Sequence, residues 1–316
     1  MNAAVGSSKA LRDEFVDRVA PLLFDGVEEA ERPTMTLLVD PPGAGAGRVL
    51  SRLISEQRAA VVSAADLASF DESASEASAA AWLRMCLAHA RDHHLPLVVQ
   101  GGFSNPQAAF GTAQGFAEAG FQTRVATVVS PRPVSLLAVA STYLSAARVR
   151  MTAPLITVDD HDAGWSAART LIRSLEPGDV DSLVLVDDTG ASISESDGDD
   201  GVDQVGAAFD RARARALTAL EATHWLSELR RLSEFAQARP TLPAEGLETL
   251  VAAHQMALSE VIPQLPVPAG SRVSAELERR VASRLVAFRG SVPVPTPVVP
   301  APVVRTPVPE STGPSR

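Results

Sequence analysis

The segment VDPPGAGAGRVLSRL, residues 39–53, has the glycine spacing of a loop that binds phosphate. An apolar run, MTLLV, precedes its glycines, and apolar residues at helical spacing follow them. A strand, a glycine-rich turn and a helix bring backbone N–H groups to an anion at the helix N-terminus. The small residues Gly43, Ala44 and Gly45 therefore predict a cradle for phosphate.

The residues that should follow the last glycine of such a loop are lysine and then serine or threonine. Ala46 and Gly47 stand at these places if the loop is aligned without a gap. If AG is instead a two-residue insertion, Arg48 takes the lysine position and Val49 replaces the hydroxyl. Neither alignment supplies a hydroxyl for Mg²⁺, so both predict poor phosphoryl transfer and no metal-ligating residue in the loop.

Lysine is almost absent from the chain. Lys9 is the only lysine among the 28 basic residues, and it belongs to a separate N-terminal segment. We therefore expect any cation that binds phosphate at this loop to be an arginine. The planar guanidinium is broader than an ammonium group and would contact a phosphate differently.

The elements around the loop alternate between apolar strands and helices. The pattern predicts strands at 35–39, 59–62, 95–99, 121–129 and 180–187. It predicts the intervening helices at 47–57, 74–94, 106–119, 133–147 and 162–175. Strands that alternate with helices of this length predict an α/β fold with a parallel sheet flanked by helices.

The remaining segments differ from this core in composition. They predict an N-terminal helix within 1–32, a core at 33–190, a solvated acidic loop at 191–206, further helices at 207–290 and a disordered proline-rich tail at 291–316. The tail cannot form a core and favours extended polyproline conformations.

Composition limits the possible partners and compartments. The net charge of −10 argues against nucleic acid or an anionic membrane as a partner. Cys86 is the only cysteine, so no internal disulfide can form, and its apolar helical neighbours predict a core position. No stretch reaches the length needed to span a membrane. These features predict a cytoplasmic protein.

Five motifs carry a resemblance to a known family. LLVDPPGAGAGRVL, an acidic residue after the second strand, LVVQGGFSNP, AGFQTRVATV and HDAGW resemble the zeta toxins of bacterial toxin–antitoxin systems in order and spacing. The resemblance covers roughly residues 8–260. It implies a P-loop kinase fold with a helical C-terminal extension, ATP as the phosphoryl donor, the sugar of UDP-N-acetylglucosamine as the acceptor, and an antitoxin that blocks the nucleotide site.

The resemblance also implies roles for individual residues. Asp66 would be the catalytic carboxylate that accepts the proton of the substrate hydroxyl, although it could equally be a helix N-cap. Gln100 takes the place of the family's glutamate after the third strand and would bind the substrate. Arg150, with Arg148 beside it, resembles the arginines that contact phosphate, although in a chain so rich in arginine both could equally be surface residues.

Further departures from the family weaken the expected activity. Asp40 replaces the first loop glycine and places a negative charge beside the phosphates. Gln100 can hydrogen-bond a sugar but cannot take a proton. The HD pair of the family is His161 and Asp162, and we expect Asp162 to cap the next helix.

These observations predict a zeta-toxin-like protein that binds a nucleotide or nucleotide-sugar weakly and transfers phosphate poorly or not at all. Two alternatives stay open at this point. One is an active UDP-sugar kinase that uses Arg48 and Asp66 in a rearranged site. The other is a non-enzymatic scaffold that works through its helices and its proline-rich tail.

Overall fold

The computed structural model describes residues 9–70, 76–151, 153–198, 201–239 and 242–291. Within these ranges six strands form one sheet in the order β2-β3-β1-β4-β5-β6. The strands are Thr34–Val39 (β1), Ala60–Ser63 (β2), Leu97–Gly101 (β3), Gln122–Val128 (β4), Ser182–Val186 (β5) and Ser192–Asp197 (β6). The first five are parallel to one another, and β6 runs antiparallel to β5.

Helices connect the parallel strands and cover the sheet. An N-terminal helical segment, residues 9–24 (α1), is π-helical over Phe15–Val19. The helices that follow are Gly47–Gln57 (α2), Ala64–Ser69 (α3), Glu76–Asp92 (α4), Pro106–Ala117 (α5), Arg132–Arg148 (α6), Val158–Arg173 (α7), Val202–Arg213 (α8), Ala219–Gln237 (α9), Ala244–Met256 (α10) and Arg272–Ser291 (α11). A π-turn, Ala257–Val261, and a 3₁₀ turn, Ile262–Gln264, continue from α10.

The strands form where they do because their apolar residues follow one another without alternation. Every residue from Met35 to Val39 in β1 is buried. This pattern is typical of a parallel strand that is covered by helices on both faces. Because β1 lies between β3 and β4, the loop after it emerges near the middle of the sheet's carboxyl edge.

Two apolar clusters hold the chain together. The larger one contains the sheet, the N-terminal helix α1 and helix α8, and Cys86 is fully buried in it as expected. The second cluster is formed by α9, α10 and α11 against one face of α6. The C-terminal helices therefore pack on a helix of the α/β core.

The predicted acidic loop at 191–206 is wrong in part. Residues Ser192–Asp197 form the edge strand β6, and α8 begins at Val202. The acidic side chains Glu195 and Asp197 are exposed, as the composition indicates, while the backbone satisfies its hydrogen bonds by pairing with β5. Charged side chains on an edge strand also discourage pairing with other chains.

The structure describes the N-terminal helix but, of the predicted C-terminal tail, only its first residue. Helix α1 ends at Phe24, earlier than the predicted helix, and the chain then turns through Gly26, whose φ is +72°. Apart from Ser291, which ends α11, the predicted proline-rich tail lies outside the described residues. Among the helices that the structure describes, none is both long enough and apolar enough to cross a membrane.

Candidate nucleotide-binding site

The loop between β1 and α2 makes the sharp reversal that a phosphate cradle requires. Gly43 and Gly45 have φ values of +72° and +89°, in the left-handed region that side chains other than glycine rarely adopt. The backbone N–H of Ala44 donates to the carbonyl of Pro41 at 3.0 Å, which closes the turn. Helix α2 then begins at Gly47, with Ala46 as its N-cap.

Two helices hold this loop from one side. A Cβ atom on Gly43 would lie 2.1 Å from the carbonyl oxygen of Ser135 in α6, so no larger residue fits there. The indole Nε1 of Trp165 in α7 donates to the carbonyl oxygen of Pro42 at 3.0 Å. The loop is therefore fixed by packing before any ligand arrives.

Backbone donors are available at the start of α2. The first backbone hydrogen bond of this helix runs from Leu50 N to Ala46 O at 2.8 Å. The N–H groups of Gly47, Arg48 and Val49 consequently have no backbone acceptor within the described residues. Three such donors, together with the positive end of the helix dipole, suit an anion.

The side chains around the loop do not add a cation. The methyl group of Ala46 is buried, and Arg48 is exposed without an ion pair in the described part of the chain. Carboxylates lie close instead. Asp40 is half-buried at the start of the loop, and a Cβ on Gly45 would lie 3.4 Å from the Cβ of Asp188. Both acids oppose a phosphate group.

The structure brings Gln100 to the loop and pairs it with Asp40. Its Nε2 donates to Asp40 Oδ2 at 2.7 Å, and the Asp40 backbone N–H donates to the Gly101 carbonyl at 3.1 Å. Burial raises the pKa of Asp40, and the hydrogen bond from Gln100 opposes that rise. Gln100, which was predicted to bind the substrate, is thus hydrogen-bonded to Asp40, the residue that replaces the first loop glycine of the family.

Asp66 also lies at this edge of the sheet, but it is not the helix cap. Ser63 caps α3, accepting from the Asp66 backbone N–H at 3.0 Å. The Ser63 hydroxyl in turn donates to Asp66 Oδ2 at 2.6 Å. Ser63, the last residue of β2, pairs with Gln100 of β3, and Asp66 lies in the first turn of α3 directly after β2.

Arg150 is placed away from the other predicted residues. It follows the C-terminal end of α6 and is exposed, and its φ is +60°. Ser135, which contacts the loop, lies near the opposite end of the same helix. At 1.5 Å per residue, Arg148 lies about 20 Å further along the axis. The structure therefore does not bring Arg148 or Arg150 to the loop.

A hydrogen-bonded network that sequence reasoning missed lies behind the loop. Arg132 donates to both carboxylate oxygens of Asp162, at 3.0 and 2.6 Å. His161 Nδ1 lies 2.8 Å from Asp162 Oδ1, and His161 Nε2 lies 2.9 Å from Ser135 Oγ. Arg213 Nη1 donates to Ser135 Oγ at 2.7 Å. Five side chains from α6, α7 and α8 are thereby connected.

The hydrogen-bond partners of His161 determine which of its ring nitrogens carries the proton. An ionised Asp162 can only accept, so His161 donates from Nδ1, and its Nε2 accepts from the Ser135 hydroxyl. Burial lowers the pKa of His161 to about 4, which keeps the imidazole neutral in this arrangement. Burial, together with the charge of Arg132, lowers the pKa of Arg213 to about 10.

The expectation that Asp162 caps its helix is wrong. Helix α7 begins four residues earlier, at Val158, and Thr157 caps it by accepting from the Asp160 backbone N–H at 3.1 Å. Asp162 is therefore free to pair with Arg132. In a chain whose basic residues are nearly all arginine, no sequence signal distinguishes Arg132 or Arg213 from the others.

The parallel sheet, the strand order and the glycine turn after the central strand β1 define an α/β protein of the P-loop kinase type. The family model for the zeta toxin matches residues 22–198, more than half of the chain. The protein belongs to the zeta toxin family.

A solved structure shares the fold. A structure from the PezAT chromosomal toxin–antitoxin system of Streptococcus pneumoniae is 14% identical, with a TM-score of 0.57, and the match covers 72% of this chain and 97% of that chain. A complex of AvrRxo1-ORF1 and -ORF2 with ATP is 13% identical, with a TM-score of 0.43 over 86% of this chain and 89% of that chain. That second similarity is too low to support an argument about fold or function. No curated protein sequence gives a significant match.

Proposed function

We propose that this protein is a catalytically impaired member of its family that binds a nucleotide or nucleotide-sugar weakly at the loop between β1 and α2. The observation that carries the proposal is the composition of that loop. Its backbone supplies three N–H donors at the start of α2 that have no backbone acceptor among the described residues, while its side chains supply neither a lysine nor a hydroxyl. Backbone donors without a cation favour binding over phosphoryl transfer.

A resident Mg²⁺ ion does not fit the residues present. Neither Ala46 nor Gly47 can ligate a metal. Among the described residues, no group of three or more histidine, cysteine, aspartate or glutamate side chains could hold one. Asp40 and Asp188 also place negative charge beside the proposed phosphate site. We therefore assign no step of the proposed function to a metal.

The acceptor side of the site retains two polar groups. Gln100 lies at the end of β3 and Asp66 in the first turn of α3, directly after the adjacent strand β2, at the same sheet edge as the loop, which supports their assignment to a nucleotide-sugar. Gln100 cannot accept a proton, and Asp66 already accepts the hydrogen bond of Ser63. The arrangement therefore supports binding of a sugar more strongly than its phosphorylation.

A protein partner is part of the proposal. The PezAT neighbour comes from a toxin–antitoxin system. By analogy, we propose that an antitoxin-like protein covers the nucleotide site of this chain. The alternative function is an active ATP-dependent kinase of UDP-N-acetylglucosamine, in which Arg48 replaces the missing lysine. The exposed position of Arg48 at the start of α2 leaves its side chain available for that role.

Calorimetric titration with ATP, with and without Mg²⁺, tests the proposal directly. We expect weak binding that changes little when Mg²⁺ is added. Tight, Mg²⁺-dependent binding would contradict the proposal and favour the active kinase. Complete absence of binding to ATP and to UDP-N-acetylglucosamine would favour a scaffold.

Repair of the loop separates the two alignments. In the ungapped alignment, Ala46→Lys together with Gly47→Ser restores the lysine and the hydroxyl. Each new charged contact is worth about 1.5–3 kcal/mol, so ATP affinity should rise by roughly one to two powers of ten per contact. Phosphorylation of UDP-N-acetylglucosamine should gain less, because Asp40 and Gln100 are unchanged. If Arg48→Ala abolishes ATP binding in the otherwise unchanged protein, Arg48 is the displaced cation and the ungapped alignment is wrong.

A further inference from the structure

A cavity of about 880 Å³ opens between the α/β core and the C-terminal helices. Its walls come from the start of α6, the middle of α7, the end of α8 and the turns that follow α10. A volume of roughly 300–1,000 Å³ is typical of pockets for small ligands. None of the loop residues 40–48 lines it, so it is distinct from the nucleotide-binding loop.

The lining of this cavity is rich in charge, with cations in excess. Its ionisable side chains are Arg132, Asp162, Arg169, Asp210, Arg213, Arg215 and Glu260. Three of the four arginines already have carboxylate partners. Arg132 pairs with Asp162, Arg169 pairs with Asp210, and Arg215 pairs with Glu221, which lies outside the lining.

Arg213 is the exception. No carboxylate lies within salt-bridge distance of it in the part of the chain that the structure describes. Its Nη1 donates to the Ser130 carbonyl at 2.8 Å and to Ser135 Oγ at 2.7 Å. Its guanidinium carbon lies 3.7 Å from the centroid of the Trp165 ring. Neutral acceptors and an aromatic face thus hold a partly buried cation in place.

Arg132 and Arg213 act on each other as like charges. The charge of Arg132 contributes to the lowered pKa of Arg213, and Arg132 engages Asp162 through both carboxylate oxygens, while Glu260 acts on Arg132 through its charge. Of these two guanidinium groups beside the cavity, only that of Arg132 forms an ion pair with a carboxylate among the described residues. An anion in the cavity would supply the missing negative charge.

We propose that this cavity binds a small phosphate-bearing anion, held by Arg213 and Arg132. These two arginines approach from different helices, α8 and α6, and Arg215 follows on the chain after α8. Phosphate accepts hydrogen bonds from several directions, whereas a carboxylate presents two coplanar oxygens. The cavity also meets the N-terminal end of α6, where the helix dipole favours negative charge. The proposal is independent of the nucleotide-binding function of the loop.

The test uses inorganic phosphate and pyrophosphate as probes on the full-length protein. Binding is followed by calorimetry and by tryptophan fluorescence, because Trp165 lies directly beneath Arg213. Arg213→Gln removes the unpaired charge and should weaken pyrophosphate binding at least tenfold. Arg211→Gln, an exposed arginine on the same helix, makes the same charge change outside the cavity and should leave the affinity unchanged.

A second variant keeps the proposal testable if Arg213→Gln fails to fold. Glu260 is an exposed carboxylate on the opposite wall, and Glu260→Gln should tighten pyrophosphate binding severalfold. If neither probe binds at millimolar concentration, or if Glu260→Gln weakens binding, the proposal is wrong. It also fails if succinate binds and the phosphate probes do not. Pyrophosphate binding that is lost in Arg48→Ala but kept in Arg213→Gln would place the anion at the loop instead.

Discussion

The buried histidine behind the loop between β1 and α2 should make the stability of this protein depend on pH in a defined window. His161 is completely buried, and its folded-state pKa of about 4 lies below its ordinary value of 6.5. Above pH 6.5 the imidazole is neutral in both the folded and the unfolded chain, so it contributes no pH dependence. As the pH falls from 6.5 toward 4, the unfolded chain takes up a proton that the folded chain refuses, and the fold loses stability.

The size of this loss follows from the difference between the two pKa values. A separation of 2.5 pKa units, from 6.5 to 4, corresponds to about 3 kcal/mol, of which about 2.5 kcal/mol is reached at pH 4.5. The other buried histidine with a lowered pKa, His254, contributes in the same direction. A comparison between variants that all keep His254 isolates the contribution of His161.

His161→Asn is the variant that removes the titration and keeps part of the geometry. Its side-chain amide can still donate to Asp162, and the Ser135 hydroxyl can turn to the Arg132 carbonyl, which lies 3.1 Å away. The variant should be less stable than the parent at pH 7 by about 1–3 kcal/mol, because a buried side chain and a hydrogen bond are lost. Between pH 7 and pH 4.5, however, the free energy of unfolding of the variant should fall by about 2.5 kcal/mol less than that of the parent.

Urea unfolding followed by circular dichroism at pH 7 and pH 4.5 measures both effects. His224→Asn is the matched control, since His224 is an exposed histidine on α9. Its free energy of unfolding should follow the parent at both pH values. If the curve for His161→Asn runs parallel to that of the parent, the assignment of a neutral, buried His161 is refuted.

Three further predictions concern the loop and the core. Asp40→Asn removes a half-buried negative charge but keeps an oxygen that can accept the hydrogen bond from Gln100. ATP should therefore bind about fivefold more tightly in calorimetry, a gain of about 1 kcal/mol in binding free energy. Unchanged affinity would mean that the Asp40 charge does not act on the phosphates. Gly43→Ala places a methyl group against the Ser135 carbonyl at positive φ and should cost about 2 kcal/mol or more in urea unfolding, while Gly47→Ala, which meets open space, should be nearly neutral. The buried thiol of Cys86, whose pKa burial raises to about 12, should react with a thiol reagent only after the protein unfolds; rapid labelling of the folded protein would contradict its core position.

The sequence by itself determined the five parallel strands, the glycine turn and which side chains the loop lacks. Consecutive apolar residues such as those of β1 are sufficient to predict buried parallel strands, because only strands covered on both faces need them. The positive φ values at Gly43 and Gly45 follow from the turn that the glycines make possible. The absence of a lysine and a hydroxyl at Ala46 and Gly47 is likewise a property of the sequence alone.

Local sequence was a poorer guide where an element depended on pairing. The acidic composition of Ser192–Asp197 indicates a solvated loop, and its side chains are indeed largely exposed. The backbone nevertheless pairs with β5, because the free edge of β5 offers it hydrogen bonds. The composition of the segment does not predict this pairing. Similarly, Thr157 caps α7 in place of Asp162, because both residue types are good caps and only the start of the helix distinguishes them.

Only the tertiary structure decided which polar residues meet. Asp40 and Gln100 are 60 positions apart in sequence and form one hydrogen bond because β1 and β3 are neighbours in the sheet. Arg132 and Asp162 meet because α6 and α7 both pack beside the loop, whereas Arg150 lies at the far end of α6. Long-range contacts of this kind depend on strand order and helix length, and a hydrogen bond forms only between groups that the fold brings within about 3 Å.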